Sequence, residues 1–306
     1  MMDSKQKYMP LLVVITGPTA SGKTTLSVEI ASKLNCKIIS SDSRQFYKGM
    51  KIGSAAPNDE ELQRVEHFFI GHLNVNDYYN VSKYEKDVNI LLEKLFVENN
   101  IALLTGGSGL YIDAVCNGID DIPDTPPQLR QSLQQQYKEN GLENMRAQLQ
   151  ILDPEYYKIV DLNNHNRIMR ALEVCISSGK PYSSFRVKAF KKKAYRILKI
   201  GIETDREVLY QRINNRVDKM IKDGLIEEVE SLLPWRNCNA LNTLGYKEII
   251  SYLDGKMNLP DAIEKIKVNT RRYARRQITW FKKDKEINWL NYDYEKIFKL
   301  IQDNII

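Results

Sequence analysis

Apolar runs alternate with amphipathic stretches through the first third of the chain. Leu11–Thr16 and Ile101–Thr105 are almost continuously apolar, which is typical of strands buried on both faces of a sheet. After the first run, Leu26, Ile30 and Leu34 recur every four residues, which predicts a helix with one buried face. Because strand, helix and strand follow one another, we expect a parallel sheet joined by crossover helices.

The same patterns predict further elements. A long helix is expected from residue 259 to about 283. Capping boxes, in which a Ser or Thr precedes a Glu by three residues, predict helix starts at Ser82 and Thr204. Short apolar runs predict more strands, at Cys36–Ser41, Ile197–Ile202 and Ile287–Tyr292.

The character of the sequence changes about a third of the way along. Residues 120–127 (DDIPDTPP) have the composition of a linker, and residues 128–178 have helical patterns without a clear strand. We therefore expect an α/β core built from both ends of the chain and interrupted by a helical domain. The predicted boundaries are 1–118 and 197–306 for the core and 119–196 for the insertion.

Composition is that of an ordinary globular protein, with 42% apolar and 27% charged residues among 306. No apolar run approaches the roughly 20 residues of a membrane helix, and the N-terminus lacks a secretory pattern, so we expect a cytoplasmic protein with no membrane span. The four cysteines are far apart and form no CxxC pair, which argues against zinc and disulfide sites. We expect a monomer.

Residues 17–24 (GPTASGKT) match the phosphate-loop pattern G-x-x-x-x-G-K-[ST] between a predicted strand and a predicted helix. Small residues let backbone N–H groups surround a phosphate, and the helix N-terminus adds partial positive charge. Lys23 can neutralise the outer phosphate, and the Thr24 hydroxyl can bind Mg²⁺. The motif predicts a diphosphate or triphosphate ligand, held by Gly17, Pro18, Thr19, Ala20, Ser21, Gly22, Lys23 and Thr24.

Two features that nucleotide triphosphatases carry are missing. The run Ile101–Thr105 ends in Thr-Gly-Gly instead of the Asp or Glu with which such a strand would hold magnesium. The NKxD tetrapeptide that reads guanine does not occur either. The bound diphosphate can therefore be a leaving group. Asp42 follows the second predicted strand and is expected beside the phosphate loop, as a general base or as a residue that orients bound magnesium. An Asp that caps the turn with Ser43 and Arg44 is an equally good interpretation.

Positive charge is clustered. Arg271–Lys283 holds six basic residues and Arg186–Lys199 seven, with no acidic residue in either, although the whole chain carries only +6. Together with the phosphate loop, this clustering indicates a polyanionic partner. In the first cluster, Tyr273, Trp280 and Phe281 can stack on bases. Each cluster taken alone is better explained as a solvated helix face.

Two arginine pairs have helical spacing. Arg212 and Arg216 lie four residues apart, and Arg167 and Arg170 lie three apart. From the sequence alone, surface salt bridges are the simpler explanation for each pair.

Six segments together resemble the bacterial tRNA dimethylallyltransferase family, also called tRNA isopentenyltransferases. The similarity runs in order from about residue 11 to 290, and its second and last segments are not general features of phosphate-loop proteins. The segments are GPTASGKT (17–24), SSDSRQFYKGMKIGSAAP (40–57), LLTGGSGLY (103–111), NRIMRALEV (166–174), LGYKE (244–248) and RQITWFK (276–282).

The resemblance implies a reaction and a fold. Such enzymes transfer the dimethylallyl group of dimethylallyl diphosphate to N6 of the adenosine 3′ of the anticodon, in tRNAs that read codons starting with U. The implied fold is a P-loop NTPase-like parallel sheet core with an inserted all-helical domain that grips the anticodon stem-loop. Mg²⁺ is the implied cofactor, and the adenosine must leave its stack to react.

The resemblance also implies roles for individual residues. Asp42 would accept the proton of the attacking amine, Lys23 and Arg216 would bind the diphosphate, and Thr24 would bind Mg²⁺. Ser108 and Asn166 stand where the family often has Thr and Gln, and both keep a hydrogen-bonding group. The implied tRNA contacts are Asp42, Ser43, Arg44, Gln45, Ser108, Arg130, Asn166, Arg167, Arg170, Gly245, Tyr246, Lys247, Arg272, Arg275 and Arg276.

Two other functions compete with this one. A phosphate-loop kinase for small molecules would turn over ATP, and an RNA-binding module would bind tRNA without chemistry. The combination of Lys23, Thr24 and Asp42 disfavours the second, because RNA binding alone needs none of them.

Overall fold

The computed structural model describes residues 9–187 and 193–305. Their contacts divide the chain into two compact units. One unit takes in the described residues of Met1–Cys116 and Lys192–Ile306, and the other those of Asn117–Lys191. Part of the basic cluster Arg186–Lys199 lies outside the described residues.

The first unit is built on a parallel sheet with the strand order β3-β2-β4-β1-β5-β6. The central strand β1 pairs with β4 and β5, and Leu11 lies opposite both Ile101 and Arg196. The strands are β1 (Leu11–Thr16), β2 (Ile38–Ser40), β3 (His67–Phe68), β4 (Ile101–Gly106), β5 (Arg196–Glu203) and β6 (Asn288–Asn291). The parallel sheet is thus confirmed, β2 is shorter than predicted, and β3 was not predicted.

Twelve α-helices complete the described chain. The long helix expected near residue 259 is confirmed as α11. The helices are α1 (Lys23–Leu34), α2 (Asp59–Arg64), α3 (Val81–Glu98), α4 (Gly109–Asn117), α5 (Pro127–Leu152), α6 (Pro154–Tyr157), α7 (His165–Ser178), α8 (Arg206–Lys222), α9 (Leu225–Leu232), α10 (Tyr246–Leu253), α11 (Leu259–Phe281) and α12 (Tyr294–Gln302). No helix in the described ranges is both long and apolar enough to cross a membrane.

The core of the first unit lies on both faces of the sheet. Side chains alternate along a strand, so Leu12 and Val14 of β1 pack in one apolar cluster with residues of α3, α9 and α10. Leu11, Val13 and Ile15 pack in a second cluster with residues of α1 and α12. Burial on both faces explains why β1 is continuously apolar.

Two helix starts differ from the prediction. Asn80 caps α3 and Asp205 caps α8, because their side-chain oxygens accept backbone N–H groups of the first turn. The predicted capping boxes at Ser82 and Thr204 are therefore wrong. In both cases a neighbouring Asn or Asp supplies the capping oxygen in place of the hydroxyl.

The second unit is helical, as the sequence predicts for residues 128–178. Its helices α5, α6 and α7 enclose a small apolar core that includes Leu133, Met145, Leu149, Ile168 and Leu172. Helix α5 is interrupted at Gly141, whose backbone is not helical.

Candidate active site

The phosphate loop, residues 17–24, connects β1 to α1. Gly17 (φ +147°) and Gly22 (φ +91°) adopt backbone conformations that favour glycine, and a Cβ on Gly17 would lie 3.1 Å from the Ile202 carbonyl oxygen. Lys23 is the first residue of α1. The turn therefore presents the N-terminus of this helix to whatever the loop binds.

A cavity of about 110 Å³ opens where β1, β2 and β4 end. This edge of a parallel sheet is where α/β proteins bind ligands. Eight of the predicted site residues line the cavity together: Thr19, Ala20, Gly22, Lys23, Thr24, Asp42, Gln45 and Arg216. Arg216 reaches it from α8 and donates a hydrogen bond from Nη1 to Thr19 Oγ1 at 2.9 Å.

Lys23 is held by a hydrogen bond within the phosphate loop. Its Nζ donates to the Pro18 carbonyl oxygen at 2.7 Å. Burial, and then the positive charge of Arg216, lower the pKa of Lys23 to about 7, although Asp42 acts in the opposite direction. An anion that enters the cavity would oppose both effects and favour the charged ammonium.

Asp42 follows β2 at the same edge. Its Oδ1 accepts a hydrogen bond from the Arg44 backbone N–H at 3.0 Å, so the residue does cap the turn. The carboxylate also lines the cavity. Burial raises the pKa of Asp42, and the Arg44 N–H and the charge of Lys23 offset part of that increase. A carboxylate with a raised pKa is a stronger base, which suits general-base chemistry.

Gln45 ties the Asp42 segment to a second loop. Its Oε1 accepts from Ser40 Oγ at 2.9 Å, and its Nε2 donates to the Ala55 carbonyl oxygen at 3.1 Å. The two ends of the Gln45 amide thus join the end of β2 to the loop whose Ser54, Ala55 and Pro57 form another wall of the cavity. In this structure the Gln45 side chain therefore holds two walls of the cavity together.

Ser43, Arg44 and Ser108 are also held by the fold. The Ser43 backbone N–H donates to Ser108 Oγ at 3.1 Å, which joins the Asp42 segment to the loop after β4. Arg44 Nη1 donates to the Asn239 carbonyl oxygen at 3.0 Å.

Glu228, which the sequence did not single out, orders the loop around residue 52. Its carboxylate accepts the backbone N–H groups of three consecutive residues at 2.7–2.9 Å, those of Lys51, Ile52 and Gly53. It also accepts the Tyr246 hydroxyl at 2.6 Å. A carboxylate that faces three successive N–H groups is a strong local constraint.

Within the segment 245–247, the expected tRNA contacts Gly245, Tyr246 and Lys247 have different surroundings. Tyr246 is fully buried, and Gly245 is buried with its N–H donated to Glu248 Oε2 at 2.9 Å. Lys247 is exposed. A side-chain contact of Tyr246 with tRNA is therefore not what this structure offers, because the ring is packed inside and its hydroxyl is used by Glu228.

Gln277 is the second site residue that the sequence did not single out. It lies on the buried side of α11, 5% exposed, and lines the cavity. Its Oε1 accepts the Thr19 backbone N–H at 2.8 Å, and its Nε2 donates to the Gly107 carbonyl oxygen at 2.8 Å. The available signal was its place on a stripe with Ala274 and Phe281, since a polar side chain among buried apolar ones needs partners.

The opposite side of α11 is basic and exposed. Tyr273 does not belong to that exposed side: it is partly buried, and burial, followed by the negative charge of Asp42, raises its pKa to about 12. Trp280 is fixed by a hydrogen bond from Nε1 to Asp113 Oδ2 at 2.9 Å. The exposed arginines are Arg272, Arg275 and Arg276.

In the second unit, two of the predicted tRNA contacts have an internal partner. Arg130 and Arg170 approach opposite oxygens of Glu173 at 2.9 and 3.5 Å, and Glu173 is 1% exposed. A buried carboxylate requires such cations, so these arginines stabilise the unit. Asn166 and Arg167 are exposed.

Comparison with known proteins identifies the family. Residues 45–284 match the family model described as IPP transferase. The chain belongs to the IPP transferase family. Proteins similar to it include tRNA dimethylallyltransferase 1 of Bacteroides thetaiotaomicron, 51% identical over 94% of this chain and 93% of its own length. Another is tRNA dimethylallyltransferase of Christiangramia forsetii, 48% identical over 96% and 98%.

Solved structures of this family also resemble the chain. The tRNA isopentenylpyrophosphate transferase of Bacillus halodurans has a TM-score of 0.69 and 35% identity, over 97% of this chain and 95% of its own. A eukaryotic dimethylallyltransferase acting on tRNA has a TM-score of 0.77 and 25% identity, over 92% and 74%. The core that surrounds the cavity is thus an IPP transferase fold.

The oxygen donors of the cavity suit a magnesium ion bound with its substrate. Mg²⁺ in phosphate sites takes one or two protein oxygens and completes its shell with phosphates and water. Thr24 lines the cavity and offers such an oxygen. The described residues contain no cluster of three or more His, Cys, Asp or Glu that could hold a metal. The donor set therefore fits an ion held largely by a diphosphate.

Proposed function

We propose that this protein transfers the dimethylallyl group of dimethylallyl diphosphate to tRNA. The acceptor is N6 of the adenosine 3′-adjacent to the anticodon, in tRNAs that read codons starting with U. The cavity is the observation that carries the proposal, since it combines a phosphate loop, two cationic side chains and a carboxylate of raised pKa. Relatives at about 50% identity bear the name of this activity.

The end of β4 argues against a phosphoryl-transfer enzyme. Thr105 occupies the position where a triphosphatase carries a magnesium-binding carboxylate. Its Oγ1 donates to the Ile15 carbonyl oxygen at 3.2 Å and accepts from Ser27 Oγ at 2.9 Å. This position therefore offers magnesium no carboxylate, and its hydroxyl is already used in hydrogen bonds within the core. The site is better suited to a diphosphate that acts as a leaving group than to a triphosphate that donates a phosphoryl group.

The reaction is a displacement at the allylic carbon. The N6 nitrogen forms the new C–N bond as the C–O bond to the diphosphate breaks, and the electron pair of that bond stays on the diphosphate. Lys23, Arg216 and the loop N–H groups stabilise the negative charge that develops there. Asp42 accepts the proton that N6 loses. Mg²⁺, held through Thr24, supplies further charge neutralisation at the diphosphate when bound.

The acceptor base has to reach a cavity at the edge of the sheet. Adenosine therefore leaves its stack, as bases do in other enzymes that modify them. The exposed arginines of α11 bind the RNA backbone, and we assign the segment 119–196 the role of gripping the anticodon stem-loop, through Asn166 and Arg167. We propose that the protein acts as a monomer in the cytoplasm, where its tRNA substrate is found.

A single assay tests the proposal. The purified protein is incubated with Mg²⁺, dimethylallyl diphosphate and unmodified tRNA, and the tRNA is digested and its nucleosides are weighed. The expected product is one adenosine heavier by a C5H8 group, at the position 3′ of the anticodon. If the protein binds tRNA but forms no adduct and instead consumes ATP, the kinase hypothesis is correct and ours is wrong.

A further inference from the structure

One buried amide connects the phosphate loop to the neighbouring loop after β4. Gln277 accepts from the Thr19 backbone N–H and donates to the Gly107 carbonyl oxygen, each at 2.8 Å. Both partners are main-chain groups of loops that line the cavity. In the proposed mechanism, neither the Gln277 nor the Thr19 side chain contacts the diphosphate, and Gly107 has no side chain.

The contact requires an amide of this length. One partner is a donor and the other an acceptor, and glutamine supplies both functions without charge at any pH, whereas glutamate of the same length does so only when it is protonated. The fit is close, because a Cβ on Gly107 would lie 2.3 Å from Gln277 Nε2. The loop after β4 and the amide are therefore packed against each other with no spare space.

Thr19 is held from a second direction. Arg216 donates to its side-chain oxygen, whereas Gln277 binds its backbone N–H. This residue of the phosphate loop is thus fixed at main chain and side chain by two different helices, α8 and α11. Loss of the Gln277 contact would free the main chain of the loop and loosen the position of Arg216 as well.

We propose that Gln277 is a positioning residue that holds the phosphate loop in its diphosphate-binding shape. The proposal deepens the proposed function and rests on it for the identity of the donor. Gln277 acts through Thr19 and Gly107, and the conformation of the loop is thereby set by α11, the helix that carries the exposed arginines. Preorganisation of this kind makes the binding of a charged group more favourable, because the loop is already ordered and no entropy is lost in ordering it when the group binds.

Two substitutions separate positioning from packing. Gln277→Met keeps the length and removes both hydrogen bonds, and leaves a buried N–H and a buried carbonyl without their partner. We expect the Kd for Mg²⁺ with inorganic diphosphate, and the KM for dimethylallyl diphosphate, to rise roughly ten-fold or more. The Kd for tRNA should change less than about two-fold, since the arginines of α11 that we assign to RNA binding are exposed, whereas Gln277 is buried.

Gln277→Glu supplies a readout that a packing role would not give. It keeps an acceptor for Thr19 but sets a carboxylate oxygen against the Gly107 carbonyl oxygen. When the introduced carboxyl group is protonated, it can donate to that oxygen again. The ratio of variant to wild-type Kd for diphosphate should therefore fall towards one as the pH is lowered, and this ratio cancels the titration of the ligand itself.

Gln302 provides the matched control, because it is exposed at the end of α12. Gln302→Met and Gln302→Glu should leave diphosphate binding and donor KM unchanged. The proposal is wrong if Gln277→Met lowers the melting temperature but keeps diphosphate Kd and donor KM within two-fold, or if Gln277→Glu shows no recovery in acid. Wild-type protein that binds diphosphate but transfers no dimethylallyl group would refute the proposed function alone, since the diphosphate titrations still test Gln277.

Discussion

The substitution Asp42→Asn isolates the chemistry that we assign to the cavity. The Asn side chain has the same shape, and its amide oxygen can still accept the Arg44 backbone N–H that Asp42 Oδ1 accepts at 3.0 Å. The turn after β2 should therefore persist. The variant differs from the wild type in its loss of a base and of one negative charge.

The two losses should act in opposite directions on catalysis and on binding. Removal of a positioned general base lowers turnover by about 10²- to 10⁴-fold, which corresponds to about 3–5 kcal/mol of activation free energy. Removal of the negative charge leaves Lys23 and Arg216 facing the cavity without a counter-charge, since Asp42 interacts with both. The donor diphosphate should therefore bind as tightly as before or more tightly.

Single-turnover measurements with saturating tRNA separate the two effects. The rate of adduct formation should fall by the predicted factor, while the Kd for Mg²⁺ with diphosphate, from calorimetry, should stay equal or decrease. The wild-type rate should also fall on acidification, at a pH above the ordinary carboxyl range, because burial raises the pKa of Asp42. An unchanged single-turnover rate in Asp42→Asn would refute the base assignment, and weaker diphosphate binding would refute the electrostatic argument.

Three further predictions follow from the site and its surroundings. Because the pKa of Lys23 is lowered to about 7, the affinity for diphosphate should fall as the pH rises above 7, and Lys23→Arg should flatten that profile; a flat wild-type profile would contradict it. Glu228→Ala should lower the free energy of unfolding in urea by about 2–3 kcal/mol, because three backbone N–H groups lose their acceptor, whereas the exposed Glu230→Ala should be nearly neutral. Equal losses of unfolding free energy in Glu228→Ala and Glu230→Ala would exclude this stabilising role of Glu228. Replacement of three exposed arginines by alanine, those at Arg272, Arg275 and Arg276, should reduce the slope of log Kd for tRNA against log salt concentration by about two units. An unchanged slope would mean that these arginines do not contact the phosphates.

Elements whose cause is local were predictable from the sequence. Strands β1 and β4 are continuously apolar because both of their faces are covered, and the sheet confirms them. The phosphate loop was recognisable because its glycines and its position between strand and helix are local requirements. The family resemblance, carried by segments such as 40–57 and 276–282, is confirmed by the comparisons.

Features that depend on competition between neighbours were not predictable to the same degree. The capping boxes were wrong because Asn80 and Asp205 offer better placed oxygens than the hydroxyls nearby. Strand β3 is two residues long, which is too short for any periodicity. The family resemblance placed Tyr246 among the tRNA contacts, yet its ring is buried and its hydroxyl donates a hydrogen bond to Glu228 on another helix.

The sequence by itself determined that the chain has a phosphate loop at the end of a buried strand, a basic helix and a carboxylate that follows the next strand. The tertiary structure decided which of these groups share a cavity, and it supplied partners more than a hundred residues away. Glu228 is about 175 residues from the loop that it orders, and Gln277 is 258 residues from Thr19. Such contacts have no periodic signal, because a hydrogen bond depends on positions in space that the whole sheet sets, and not on spacing along the chain.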